Sequence, residues 1–116
     1  MTPADFRRIA LSFPETVEQE HMHHPDFRVR GKIFATLGYP DDAHGMVKLT
    51  PEQQHDYVKS EPDVFSPSKG AWGRGASTIV KLKAAKETSL RAAMAAAWGN
   101  ISLKTNAAPR KRSKAL

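Results

Sequence analysis

FRVRGKIFATL, from Phe27 to Leu37, decides the fold of this 116-residue chain. Phe27 and Val29 fall on one face of an extended strand while Arg28 and Arg30 fall on the other, the period of two that β-structure imposes. Gly31 interrupts the pattern and Lys32 to Leu37 resumes it, so the segment reads either as a tight hairpin or as one strand with a bulge. The alternation returns in AWGRGASTIVKLK, Ala71 to Lys83, where Val80 and Leu82 oppose Lys81 and Lys83. A sheet made of such strands rests one face on a core and turns a cationic face outward.

Helices flank these strands. Thr2-Pro3-Ala4-Asp5 is a helix start, with a capping hydroxyl, a proline at the first helical position and an acid at the positive end of the dipole. Phe6, Ile9, Ala10 and Phe13 follow with the spacing of one helical face, and Pro14 ends the helix. A strand is expected over Val17 to His23, a turn at Pro25-Asp26, strands at Phe27–Arg30 and Lys32–Leu37, and another at Met46–Thr50. Thr50-Pro51-Glu52-Gln53 is a capping box opening a second helix that runs to about Ser60. Phe65 to Gly75 reads as a long loop and Ser77–Lys83 as the last strand. Leu90, Ala93, Met94, Ala97, Trp98 and Ile101 trace the core stripe of a final helix. The expected architecture is α+β, an antiparallel sheet with helices packed on one face. The expected organisation is a single domain over residues 1–105 followed by a basic tail, residues 106–116.

Composition narrows the function classes. With 40% hydrophobic and 26% charged residues, the chain has the make-up of an ordinary globular domain. The absence of cysteine removes disulfides, thiol nucleophiles and thiolate metal sites, and fits a reducing, cytoplasmic setting. The longest apolar run, Ala92 to Trp98, is far short of the ~20 residues that span a bilayer, so no membrane partner is expected. The net charge is +6, but Arg110, Lys111, Arg112 and Lys114 lie in the tail, and removing those four leaves only +2 on the rest. Placement of charge, more than its total, must therefore carry any argument about partners.

Three segments in order, HPDFRVRGKIFATL (His24 to Leu37), VKLTPEQ (Val47 to Gln53) and AWGRG followed by TIVKL, resemble the MmcQ/YjbR family of small bacterial proteins. The likeness covers about Thr2 to Ile101. It implies a frataxin-like fold and, since the family is described as DNA-binding with a double-wing motif, a nucleic-acid partner. The chain departs from the family at Ala76, where members often carry an aromatic residue.

The residues that would hold such a partner are Arg28, Arg30, Lys48, Lys81 and Lys83 on the cationic sheet face. Lys69, Trp72 and Arg74 join them from the Gly-rich loop before the last strand, with Trp72 offering a stacking surface. No cofactor and no metal are expected. His21 and His23 would share a strand face, yet the spacing specifies no third ligand. The loop Gly70 to Gly75 precedes a strand and lacks the Gly-Lys-Ser/Thr ending of a phosphate loop. No motif ties His44, His55 or the Asp41-Asp42 pair to a nucleophile, so a non-enzymatic module is expected. The competing reading is a protein- or small-anion-binding domain that uses the same face.

Overall fold

The computed structural model describes residues 1–69 and 75–106. Its order is α1 (Pro3–Leu11), β1 (Thr16–His21), β2 (His24–Val29), β3 (Lys32–Leu37), β4 (His44–Lys48), α2 (Pro51–Ser60), β5 (Phe65–Pro67), β6 (Ser77–Lys81) and α3 (Glu87–Asn106). The strands form one six-stranded antiparallel sheet in the order β1-β2-β3-β4-β6-β5. The expected α+β fold with helices on one sheet face is the one observed. Among the described residues no helix is long and apolar enough to cross a membrane.

The capping box expected at Thr50 forms, and the start of α1 closes into one as well. Thr2 accepts from the Asp5 amide and Thr50 from the Gln53 amide, while the Asp5 and Gln53 side chains reach back to the cap amides. Two hairpins then build the first half of the sheet. Met22 and His23 both take positive φ, 51° and 68°, and so do Arg30 and Gly31, 53° and 79°. Two consecutive left-handed residues are what a two-residue type I′ turn requires, and its twist suits paired strands. Gly31 is therefore the second residue of a hairpin turn. The turn expected at Pro25-Asp26 lies three residues earlier, and Pro25 and Asp26 belong to β2.

A bulge sits in β3. Phe27 pairs with Ala35 but Arg28 pairs with Ile33, so Phe34 is the extra residue. Phe34 and Ala35 consequently both enter the core, and Ile33 is left for the other face. The core face carries Phe27, Val29, Phe34, Ala35, Leu37, Val47, Phe65 and Val80, covered by Phe6, Ile9 and Ala10 of α1 and by Leu90, Ala93, Met94 and Ala97 of α3. Phe6 lies directly over Gly45, where a Cβ would come within 2.5 Å of the ring. Helix α2 buries no residue fully, but its Tyr57 ring packs on Phe65 at 5.1 Å between centroids. Trp98 stacks on Phe13 and donates its indole N–H to the Pro14 carbonyl at 3.1 Å, closing α3 against the end of α1.

Two expectations about strands change. The segment read as a long loop from Phe65 contains β5, a three-residue edge strand paired with β6. Strand β6 ends at Lys81, so Leu82 and Lys83 lie in the turn that follows it.

Candidate nucleic-acid interface

The face of the sheet turned away from the helices follows from the register. One row across all six strands runs Gln19, Asp26, Thr36, Met46, Ile79, Ser66. A parallel row brings Val17 beside Arg28, and Arg28 beside Ile33. Lys48 pairs with Ser77, and at the other end of the same strands His44 pairs with Lys81.

At the floor of this face stands an ion pair between residues i and i+2 of β2. Asp26 is fully buried (0% exposed), and Arg28, two residues along the same strand face, donates to it from Nε at 2.7 Å and from Nη2 at 3.0 Å. His21 reaches the same carboxylate from β1, its Nδ1 2.7 Å from Oδ2. The Arg28 guanidinium, opposed by burial and seconded by His21, holds the Asp26 carboxyl below its ordinary range, and Asp26 in turn raises Arg28. An ionised carboxylate only accepts, so His21 carries its proton on Nδ1 and keeps Nε2 as its other functional nitrogen. Removing a charge from water is costly unless it is paired and hydrogen-bonded, as Asp26 is by two partners that reach the surface.

The six predicted contact residues that fall among the described residues do not form one surface. Arg28, Lys48 and Lys81 lie on the open face. Lys48 and Lys81 stand at opposite ends of the β4–β6 pair, about 13 Å apart along the strands. Arg30 is in the β2–β3 turn, 3.6 Å from Glu15, and so leaves the strand face it was expected to share. Lys83, beyond the end of β6, lines a small cleft with Met1, Pro3 and Asp42 beside the start of α1. Lys69 is exposed in the connection after β5. Trp72 and Arg74 lie outside the described residues, as do residues 107–116 of the basic tail.

Two residues missing from the sequence-derived set take their places at the site. Lys32 joins Arg28 and Lys48 in a groove of about 620 Å³ bounded by Leu49, Thr50 and the Asn100 end of α3, with no acidic side chain among its described walls. Reciprocal hydrogen bonds between Gln53 and Asn100, 2.7 and 3.2 Å, pin the start of α2 to α3 at this groove. The second is His21. It lines an adjoining cavity of about 320 Å³ with Thr36, Met46 and Ser77, and that cavity shares Ile33 and Lys48 with the groove. Lys32 directly follows the turn glycine and gives no periodic signal of its own. Asp26 did give one, because residues i and i+2 share a strand face, but it needs β2 to start at His24.

The histidine cluster has no metal geometry. The turn at Met22–His23 takes His23 out of the strand and sets His21 opposite His24, with ring centroids 6.4 Å apart. Among the described residues no three His, Asp or Glu side chains are grouped to hold an ion.

A six-stranded antiparallel sheet with all three helices on one face and a polar, partly cationic other face defines the class. The chain belongs to the YjbR family, whose model matches residues 11–100. Among solved structures it resembles a Deinococcus radiodurans protein, DR2400, described as a DUF419 domain. The two are 16% identical, with a TM-score of 0.75 over 90% of this chain and 80% of that one, a likeness of fold. No curated protein matches the chain.

Proposed function

We propose that the protein binds nucleic acid, with DNA the expected form, through the open face of its sheet, as a cytoplasmic module without catalysis of its own. The observation that carries this reading is the groove at the edge of that face, between the β2–β3 turn and α3 at Asn100, on which Arg28, Lys32 and Lys48 converge without an acidic side chain among its described walls. Phosphate contacts position a protein on a strand and need cations at backbone spacing, more than any particular base-reading group. Arg28 enters with part of its charge committed to Asp26, so the free phosphate ligands are Lys32 and Lys48 in the groove, with exposed Lys81 and Lys69 beyond it.

The test is fluorescence anisotropy of a labelled duplex with the full chain at two salt concentrations. Four phosphate contacts give a log–log salt slope near −3.6, or roughly a hundredfold loss of affinity between ~50 and ~200 mM salt. Lys32→Glu with Lys48→Glu should abolish most of that binding. Neutralising Arg110, Lys111, Arg112 and Lys114 to Gln in the full chain should leave the greater part. Binding that follows the tail charges and ignores the groove variant overturns the reading in favour of a protein- or small-anion-binding domain.

A further inference from the structure

The cavity beside the cationic groove has features that phosphate binding does not require. Part of its lining is apolar, Ile33 and Met46, the latter 4% exposed although it lies on the face away from the helices. Thr36 and Ser77 also line it, 8% and 6% exposed, and each brings a hydroxyl. A hydroxyl can both donate and accept, so two of them give the cavity wall hydrogen-bonding groups of either sense. His21 adds a third such group, oriented by the buried carboxylate of Asp26. The cavity volume, about 320 Å³, is at the lower end of small-molecule sites, roughly 300–1,000 Å³. Lys48 and Ile33 belong to both this cavity and the groove, so a ligand seated in one has a cation-lined exit into the other.

We propose that this cavity receives a single unpaired nucleotide, with the base against Ile33 and Met46 and its phosphate on Lys48 and Lys32. The inference rests on the nucleic-acid reading and narrows it to an unpaired nucleotide, in a strand or free. Each part of the pocket has a matching part of that ligand. A polarisable thioether and a branched aliphatic side chain cover a ring face. Thr36, Ser77 and His21 meet the donors and acceptors on the edge of a base. The groove takes the anion. A duplex would have to extrude a base to use the cavity, at a cost of a few kcal/mol, whereas a single strand presents one already unstacked.

Two measurements on the full chain test this. The first follows the Met46 and Ile33 methyl resonances during titration with thymidine monophosphate and, separately, with inorganic phosphate. Both methyls should shift with the nucleotide, in the millimolar range, and stay still with phosphate. The second compares a labelled oligothymidylate with a duplex of equal length. The single strand should bind about tenfold more tightly, and Ile33→Trp, which fills the shared wall from a half-buried position, should reduce that preference to near unity. Silent methyls overturn the inference, whether or not the variant folds. If duplex still binds with the groove-dependent salt slope, only the inference fails. If no strand binds but the nucleotide moves both methyls, the cavity assignment stands and the DNA reading fails.

Discussion

On the helix-covered face of the sheet, Phe27 meets Phe6, with Phe34 and Val47 beside it in a core made almost wholly of hydrocarbon. One residue away in the same strand, Asp26 is equally buried and is held by charge. The first face needs only side chains of the right size at the right period, and that is the information an apolar pattern carries. The second face depends on which residue pairs with which across β1, β2 and β3, and no single strand contains that. It also changes what a basic residue means. Arg28 looks like an exposed cation when its strand is read alone, yet it is part of an internal ion pair with a 2.7 Å contact. The charge available to a partner at the groove comes chiefly from Lys48 and from Lys32.

The sharpest way to break this contrast is to truncate the two neighbours in β2. Phe27→Ala should cost about 3–5 kcal/mol, through lost burial and the cavity left under Phe6, measured by chemical denaturation near neutral pH. Asp26→Asn should cost less, about 2–3 kcal/mol, because Arg28 and His21 retain some access to water when their counter-charge goes. An Asn variant as stable as the parent would mean that the ion pair is not what holds the open face. The pH dependence sharpens the point. Because the Asp26 carboxyl is held below its ordinary value, its contribution is complete above about pH 4 and is lost as pH falls through the depressed value. The gap between the parent and Asp26→Asn should therefore close in acid, while the Phe27→Ala gap should not close by this route.

The smallest effect is expected at a surface cluster far from either face. Glu87, at the start of α3, is bridged by Arg8 of α1 and by Arg91 one turn along, each at 3.0 Å, and these hold its carboxyl down at about 2. Its contribution is present above its ordinary value near 4.5 and fades as pH drops toward 2. A carboxyl NMR titration should place its midpoint there, and Arg8→Ala should move the midpoint upward while denaturation midpoints at neutral pH scarcely change.

Much of the fold is legible in the sequence where local chemistry decides it. Thr2 and Thr50 announce their helices because a capping box is written within four residues, and Lys32–Leu37 is a strand by its own composition. Legibility fails where pairing decides. Pro25 and Asp26 have the composition of a turn but lie in a strand, where Asp26 meets Arg28 along β2 and gains its second partner, His21, once β1 and β2 have met. Strand β5, three residues ending in a proline at the sheet edge, exists because β6 is there to pair with it. At the site, the expectation of five aligned cations assumes strands that run through Arg30 and Lys83. Both residues lie in turns.

The extra residue in β3 resets the parity of that strand. Before Phe34 the odd-numbered Ile33 looks away from the helices, and after it the even-numbered Thr36 does. Deleting Phe34 would leave Ala35 opposite Phe27 and Ile33 opposite Arg28 in an unbroken ladder, so Ile33 would keep the open face and the wall shared by groove and cavity would survive. The loss would fall on the core, which would give up the Phe34 ring and its edge contact with Phe13. A sequence aligned to this one with a gap at that point therefore describes a protein with the same open face over a thinner core.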